Sequence, residues 1–189
     1  MPYIPVEEHL PGITGLLEYR KDTAQPIREL TQFLLRGPST LTEAERELIA
    51  TIVSDGNDCT FCTTAHAAAV NLLTGDSTLE QQVRKNFSKA AVSNKMKALL
   101  NIAYLVRISG KSVTAESIEE AKSAGASDIE IHDTVLIAAL FCLYNRYVDG
   151  LATALPQDES YYTSLAGRLV THGYNRLPQG YDHLKKQST

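Results

Sequence analysis

Residues 42–66 read TEAERELIATIVSDGNDCTFCTTAH, and two patterns within them decide the fold class. Thr42 followed three residues later by Glu45 is a capping box, the reciprocal side-chain and backbone pairing that starts a helix. Leu48, Ile49, Ile52 and Val53 then recur at helical spacing until Asp55-Gly56-Asn57-Asp58 breaks the pattern after about Ser54. A second helix opens at Cys59, with Asp58 as its expected N-cap, and runs to about Leu73 before Gly75 stops it. Two helices joined by a short polar turn leave no room for a strand.

The same punctuation recurs outward from this pair. Pro26 reads as the first-turn proline of a helix over Ile27–Arg36, ended by Gly37-Pro38. Ser77 with Glu80 caps a short helix to about Phe87, and Ser93–Ser109 is another, stopped by Gly110. Thr114 caps a helix to about Ala124, Ser127 with Glu130 caps a long apolar one to about Leu151, and Asp158 starts the last, ending at Gly173. The tail from Tyr174 to Thr189 has no periodicity; it is expected to fray or lie across a neighbour and to carry no chemistry. No alternating run rich in Val, Ile and Thr is bounded as a strand, and no period of about 20 to 50 residues repeats. The expected fold is all-α, a compact multi-helix domain over residues 1–189.

Composition excludes several functions. With 189 residues, 43% hydrophobic and 21% charged, the chain can bury a core and is not disordered. Eighteen Lys and Arg against 22 Asp and Glu give a net charge of -4, the wrong sign for nucleic-acid binding. The longest apolar run, the ten residues Val135–Tyr144, is about half of a membrane span. Met1-Pro2-Tyr3-Ile4-Pro5 lacks the basic and apolar regions of a secretory signal, so a cytoplasmic location is expected. Three cysteines are too few and oddly numbered for a disulfide framework; in a reducing compartment the close pair Cys59 and Cys62 points to redox chemistry or metal binding.

Cys59, Cys62 and His66 form C-x-x-C-x-x-x-H at a helix start. At about 100° per residue all three fall within about 60° of one another, so sulfurs and imidazole share one face. Ala69, Val70 and Leu73 extend that face, which predicts a deep cleft between helices. The helix N-terminus and a neighbouring histidine favour thiolate, while burial opposes it. Cys59 is nearer the helix start, and Cys62 is four residues before His66, the spacing at which side chains meet. Glu47 lies off the apolar stripe of its helix. It reads either as solvated or, on a face with Ala44, Ala50, Thr51 and Ser54, as half-buried beside His66.

The spacing E-x(11)-C-x-x-C-x-x-x-H, met by Glu47, Cys59, Cys62 and His66, resembles the alkylhydroperoxidase D-like enzymes of the carboxymuconolactone decarboxylase superfamily. Asn145-Arg146-Tyr147-Val148-Asp149-Gly150 is similar to the N-R-x-V-D-G segment of its peroxidase-related subgroup, so the likeness spans about residues 41–155. The resemblance implies an all-α homo-oligomer and an antioxidant dithiol peroxidase with no haem, cofactor or metal. Its partners would be a peroxide substrate and an external dithiol or thiol reductant. It assigns attack on the peroxide to Cys62, resolution to a disulfide to Cys59, proton transfer to His66, and orientation of His66 to Glu47. Phe61 stands where some members carry histidine, which implies slower turnover.

Other readings share these residues. Cys59, Cys62, His66 and Glu47 could ligate zinc, although no second ligand pair exists. A thioredoxin-like reductase would need a preceding strand, and two cysteines could merely fill a core. Within the superfamily, the alternatives are a lactone decarboxylase, which does not need the C-x-x-C pair, or another thiol oxidoreductase. Cys142 reads as a core filler. Asn145 is expected to satisfy backbone, and Arg146 with Asp149 to form a partly buried ion pair walling the cleft or an interface. His9, His132, His172 and His183 are assigned surface or packing roles, and Tyr161, Tyr162, Tyr174 and Tyr181 an oligomer contact.

Overall fold

The computed structural model describes residues 1–185, without the side chain of His183; residues 186–189 of the tail lie outside the described residues. Among the described residues all regular structure is helical. The order is α1 (Ile13–Tyr19), α2 (Lys21–Arg36), α3 (Glu43–Gly56), α4 (Thr60–Thr74), α5 (Leu79–Asn86), α6 (Asn94–Ile108), α7 (Ala115–Ser123), α8 (Asp128–Gly150) and α9 (Glu159–His172). Short 3-10 turns lie at Gly110–Ser112 and Asp182–Leu184.

The capping signals form as written. Thr42 Oγ1 accepts from the Glu45 N–H at 3.2 Å, and Glu45 Oε2 accepts from the Thr42 N–H at 2.8 Å. Ser127 and Glu130 repeat this at α8, where Glu130 also accepts from Lys95 Nζ at 2.7 Å and Thr40 Oγ1 at 2.9 Å. That carboxylate joins α6 and the α2–α3 loop to the start of the longest helix.

α3 is the organising element. Every residue from Arg46 to Ser54 is buried, and neighbours pack on it from α2, α4, α5, α6 and α8. Its apolar residues Leu48, Ile49 and Val53 meet Leu99, Leu100, Ile102, Ile137 and Phe141 in the largest core cluster. A second cluster, between α4, α8 and α9, contains Cys59, Phe61, Cys62 and Ala65 with Val148, Tyr162, Leu165 and Leu169. Leu10, Leu177 and Tyr181 form a third, which ties the C-terminal segment to the start of the chain. No helix among the described residues is long and apolar enough to cross a membrane.

Four local expectations are corrected. Helix α1 carried no recognised signal, and α2 begins at Lys21 with Pro26 inside it. Proline there forfeits only the bond to the carbonyl of solvent-exposed Asp22, which water can satisfy. Ser77 does not cap α5: Asp76 Oδ1 accepts from the N–H and the hydroxyl of Thr78, so Thr78 becomes the N-cap. Asp58 does not cap α4 either; Cys59 does.

Candidate active site

The α3–α4 turn decides how the sulfurs meet. Asp58 adopts a left-handed φ of 58°, which aspartate tolerates better than most residues. The chain is thereby reversed so that the Cys59 N–H donates to the Ser54 carbonyl at 3.0 Å and Cys59 sits at the N-cap. Cys62 is then at N3, the position whose backbone N–H faces the capping side chain in the Thr42–Glu45 box. Both cysteines are free thiols, 0% and 3% exposed.

Their electrostatics differ in sign. The Cys59 thiol is lowered, first by the hydrogen bond that the Cys62 S–H donates to it; burial opposes this, and the Cys62 backbone N–H assists. Cys62 is pushed up, because donating that bond, burial and the Cys59 charge all favour its proton; Asn145 acts against them. One proton is therefore shared between the two sulfurs, and the first ionisation belongs to the pair.

Glu47 is fully enclosed at 0% exposure, which selects the second of its two readings. Its Oε2 lies 2.6 Å from His66 Nδ1, and its Oε1 accepts from Arg36 Nη2 and from the Tyr174 hydroxyl, both at 2.5 Å. A carboxylate only accepts, so Nδ1 carries the proton and Nε2 is left as the ring's base. Phe141 packs edge-on to the imidazole at 4.6 Å between centroids, and the Arg36 guanidinium lies over the Tyr174 ring at 5.0 Å. Burial pushes Tyr174 well above its ordinary value and the Glu47 charge adds to this, so the phenol remains a donor.

Burial alone would raise Glu47, but the field and hydrogen bond of His66, with Arg36 and Tyr174, bring it down to about 2. A carboxylate lowered from 4.5 to about 2 contributes its stabilisation fully above about pH 4.5 and loses it as pH falls toward 2. Glu130, where burial is likewise outweighed by Lys95, Ser127 and Thr40, is also held at about 2. Acid titration followed by circular dichroism should show a steady helical signal down to about pH 4.5 and a fall between there and about pH 2. A loss that begins near neutral pH contradicts this ledger of charges.

Arg36 and Tyr174 were not among the expected site residues. Tyr174 belongs to the tail expected to carry no chemistry, yet its hydroxyl donates to Glu47. Gly173, with φ 67°, turns the chain at the end of α9. A Cβ there would collide with Gln32, whose Oε1 accepts from the Tyr174 N–H at 2.7 Å. Tyr162 and Tyr181 are buried within this chain, at 6% and 3% exposure.

The α8 residues divide. Asn145, 1% exposed, donates to Ser54 Oγ at 3.0 Å, accepts from Asn57 Nδ2 at 2.9 Å and favours a thiolate on Cys62, so its partners are side chains and not backbone. The expected Arg146–Asp149 ion pair does not form among the described residues. Both are exposed; Arg146 turns back to donate to the Cys142 carbonyl at 2.9 Å. Asp149, raised by burial and lowered by its bond with Cys59, faces the dithiol instead. Cys142 is half-buried, with Asn57 Nδ2 at 3.6 Å from its sulfur.

Beside His66 is a cavity of about 70 Å³, walled by apolar Ile13, Leu17, Phe61, Phe141 and Leu169. This is the expected cleft reduced to a small chamber. Phe61 is 5% exposed, its ring against Gly12 and tilted 55° to Tyr162, so an aromatic plug closes this side of the site. A zinc site would require Glu47 to turn toward the sulfurs, but both of its oxygens are engaged by other donors. Among the described residues no group of three or more His, Cys, Asp or Glu side chains converges to hold a metal.

No protein-family model and no curated protein matches the chain. Solved structures do. An uncharacterized peroxidase-related protein from Silicibacter sp. TM1040 is 25% identical, with a TM-score of 0.74 over 81% of this chain and 78% of that one. The alkylhydroperoxidase AhpD core of an uncharacterized peroxidase-related protein from Ralstonia eutropha JMP134 is 22% identical, with a TM-score of 0.77 over 87% of this chain and 96% of that one. A protein of unknown function from Agrobacterium tumefaciens, named as a candidate antioxidant defence protein AhpD, is 16% identical, with a TM-score of 0.68 over 84% and 100%. The chain therefore shares the AhpD-like fold of these structures.

Proposed function

We propose that the chain is a dithiol peroxidase that reduces organic hydroperoxides or hydrogen peroxide at Cys59 and Cys62 and serves in antioxidant defence. One arrangement carries the reading: two free, buried thiols at the N-cap and N3 positions of one helix, with His66 one turn on and clamped by Glu47. The peroxidase-related and antioxidant names of the structural neighbours support it. The same reading takes the chain as one domain, assembled as a homo-oligomer in the cytoplasm, where thiols are kept reduced.

The Cys62 proton first passes to Cys59 along their hydrogen bond, leaving thiolate on Cys62. Cys62 then attacks the peroxide; an S–O bond forms, the O–O bond breaks, and Cys62 becomes a sulfenic acid while the departing oxygen leaves as an alcohol or water. Cys59 attacks the sulfenic sulfur and expels its oxygen as water, giving the Cys59–Cys62 disulfide. His66 Nε2 takes and returns the protons, and Glu47 stabilises the imidazolium between these steps. In sum, two thiols and one peroxide become a disulfide, an alcohol and a water. An external dithiol or thiol then restores the pair.

One equivalent of tert-butyl hydroperoxide should remove two of the three thiols titratable in the unfolded chain, and dithiothreitol should restore them. Retention of all three thiols contradicts the proposal.

A further inference from the structure

Tyr162 is the polar group at the dithiol that the steps above leave unused. It projects from α9 into the cluster that contains Cys59 and Cys62, is 6% exposed, and packs its ring against Phe61 and Tyr161 at 5.9 Å and 5.4 Å between centroids. Its hydroxyl is buried and has no hydrogen-bond partner. Other interior tyrosine hydroxyls are paired: Tyr144 with Thr31 Oγ1 at 2.5 Å, Tyr174 with Glu47, and Tyr181 with Arg28 Nη1 at 3.1 Å. A buried O–H without a partner is destabilising, and phenylalanine would fill the same space without that cost. Burial pushes this phenol up to about 12, and the two sulfurs, Cys62 more than Cys59, add to the shift. The group is therefore a protonated donor within electrostatic reach of both sulfurs.

The acceptor absent from the resting dithiol is one that the reaction brings. When Cys62 attacks, negative charge develops on the oxygen that leaves, in a site where both sulfurs are enclosed. A preorganised donor aimed at that oxygen lowers the barrier without being consumed. Resting on the peroxidase reading, we propose that Tyr162 is a catalytic residue whose hydroxyl donates a hydrogen bond to the departing peroxide oxygen at Cys62. The bond made is Cys62 S–O and the bond broken is O–O; sulfur is oxidised and peroxide reduced by two electrons. The departing oxygen receives the proton that His66 Nε2 took from the dithiol, and Tyr162 keeps its own.

The test compares full-length wild type and Tyr162→Phe, each prereduced, by stopped-flow measurement of Cys59–Cys62 disulfide formation with two oxidants. Diamide oxidises dithiols without releasing an oxygen anion, so it reads thiolate availability and access alone. With tert-butyl hydroperoxide, Tyr162→Phe should be slower by about tenfold to a thousandfold; with diamide it should match wild type. Equal peroxide rates, or equal losses with both oxidants, overturn the role of Tyr162. A wild type that reacts with diamide but not with peroxide overturns the peroxidase reading and this proposal with it. Circular dichroism melting of both proteins confirms that the variant, which keeps the ring, is folded.

Discussion

Cys62→Ser should abolish peroxide-driven oxidation while leaving the helical fold in place. A serine hydroxyl is not ionised near neutral pH and does not accept oxygen from a peroxide, so the loss is on the order of a thousandfold or more. The fold tolerates the change because α4 keeps its packing on α3 and α9, and a hydroxyl at position 62 can still donate to Cys59 as the thiol does. Cys59→Ser should behave differently. Without a resolving thiol, the sulfenic acid on Cys62 accumulates after a single turnover and is trapped by dimedone, which mass spectrometry locates. Full peroxide consumption by Cys62→Ser, or dimedone on Cys142 instead of Cys62, contradicts the assigned roles.

Glu47→Ala is expected to have the largest effect on stability. The substitution deprives Arg36, Tyr174 and His66 of their common acceptor and leaves the Arg36 guanidinium, whose side chain is 5% exposed, without its buried partner. Removing one member of a buried ion pair costs about 3–5 kcal/mol, because the remaining charge stays desolvated. Urea denaturation should show a loss of that size, accompanied by slower peroxide oxidation as His66 loses the group that fixes its tautomer. Glu47→Gln keeps the volume and one acceptor oxygen; it should slow oxidation without unfolding the protein. A stability change below about 1 kcal/mol in Glu47→Ala would show that Glu47 is solvated in solution.

Local rules made much of the fold legible. Thr42 with Glu45 and Ser127 with Glu130 start helices because their partners are only three residues away. The Cys59, Cys62 and His66 constellation was legible for the same reason, since successive turns of one helix place them together. Glu47 was ambiguous because periodicity separates a buried face from a wet one, and α3 has no wet face. Arg36 and Tyr174 were hidden by distance along the chain: they reach Glu47 across 11 and 127 residues. Their only local traces are a basic residue in the last turn of α2 and a glycine that reverses the chain just before Tyr174. Arg146 and Asp149 illustrate the opposite error. Spacing of three residues permits an ion pair, but a carbonyl of the same helix claims the first and a cysteine on α4's N-terminus claims the second.

In the proposed cycle Cys59 and Cys62 form a redox couple driven by peroxide. The most direct measurement treats the reduced chain with one equivalent of tert-butyl hydroperoxide, blocks free thiols, digests it and maps the cysteines by mass spectrometry. The predicted result is a Cys59–Cys62 disulfide with Cys142 alkylated, reversed by dithiothreitol before blocking. Alkylation of Cys59 and Cys62 after peroxide treatment would contradict the account.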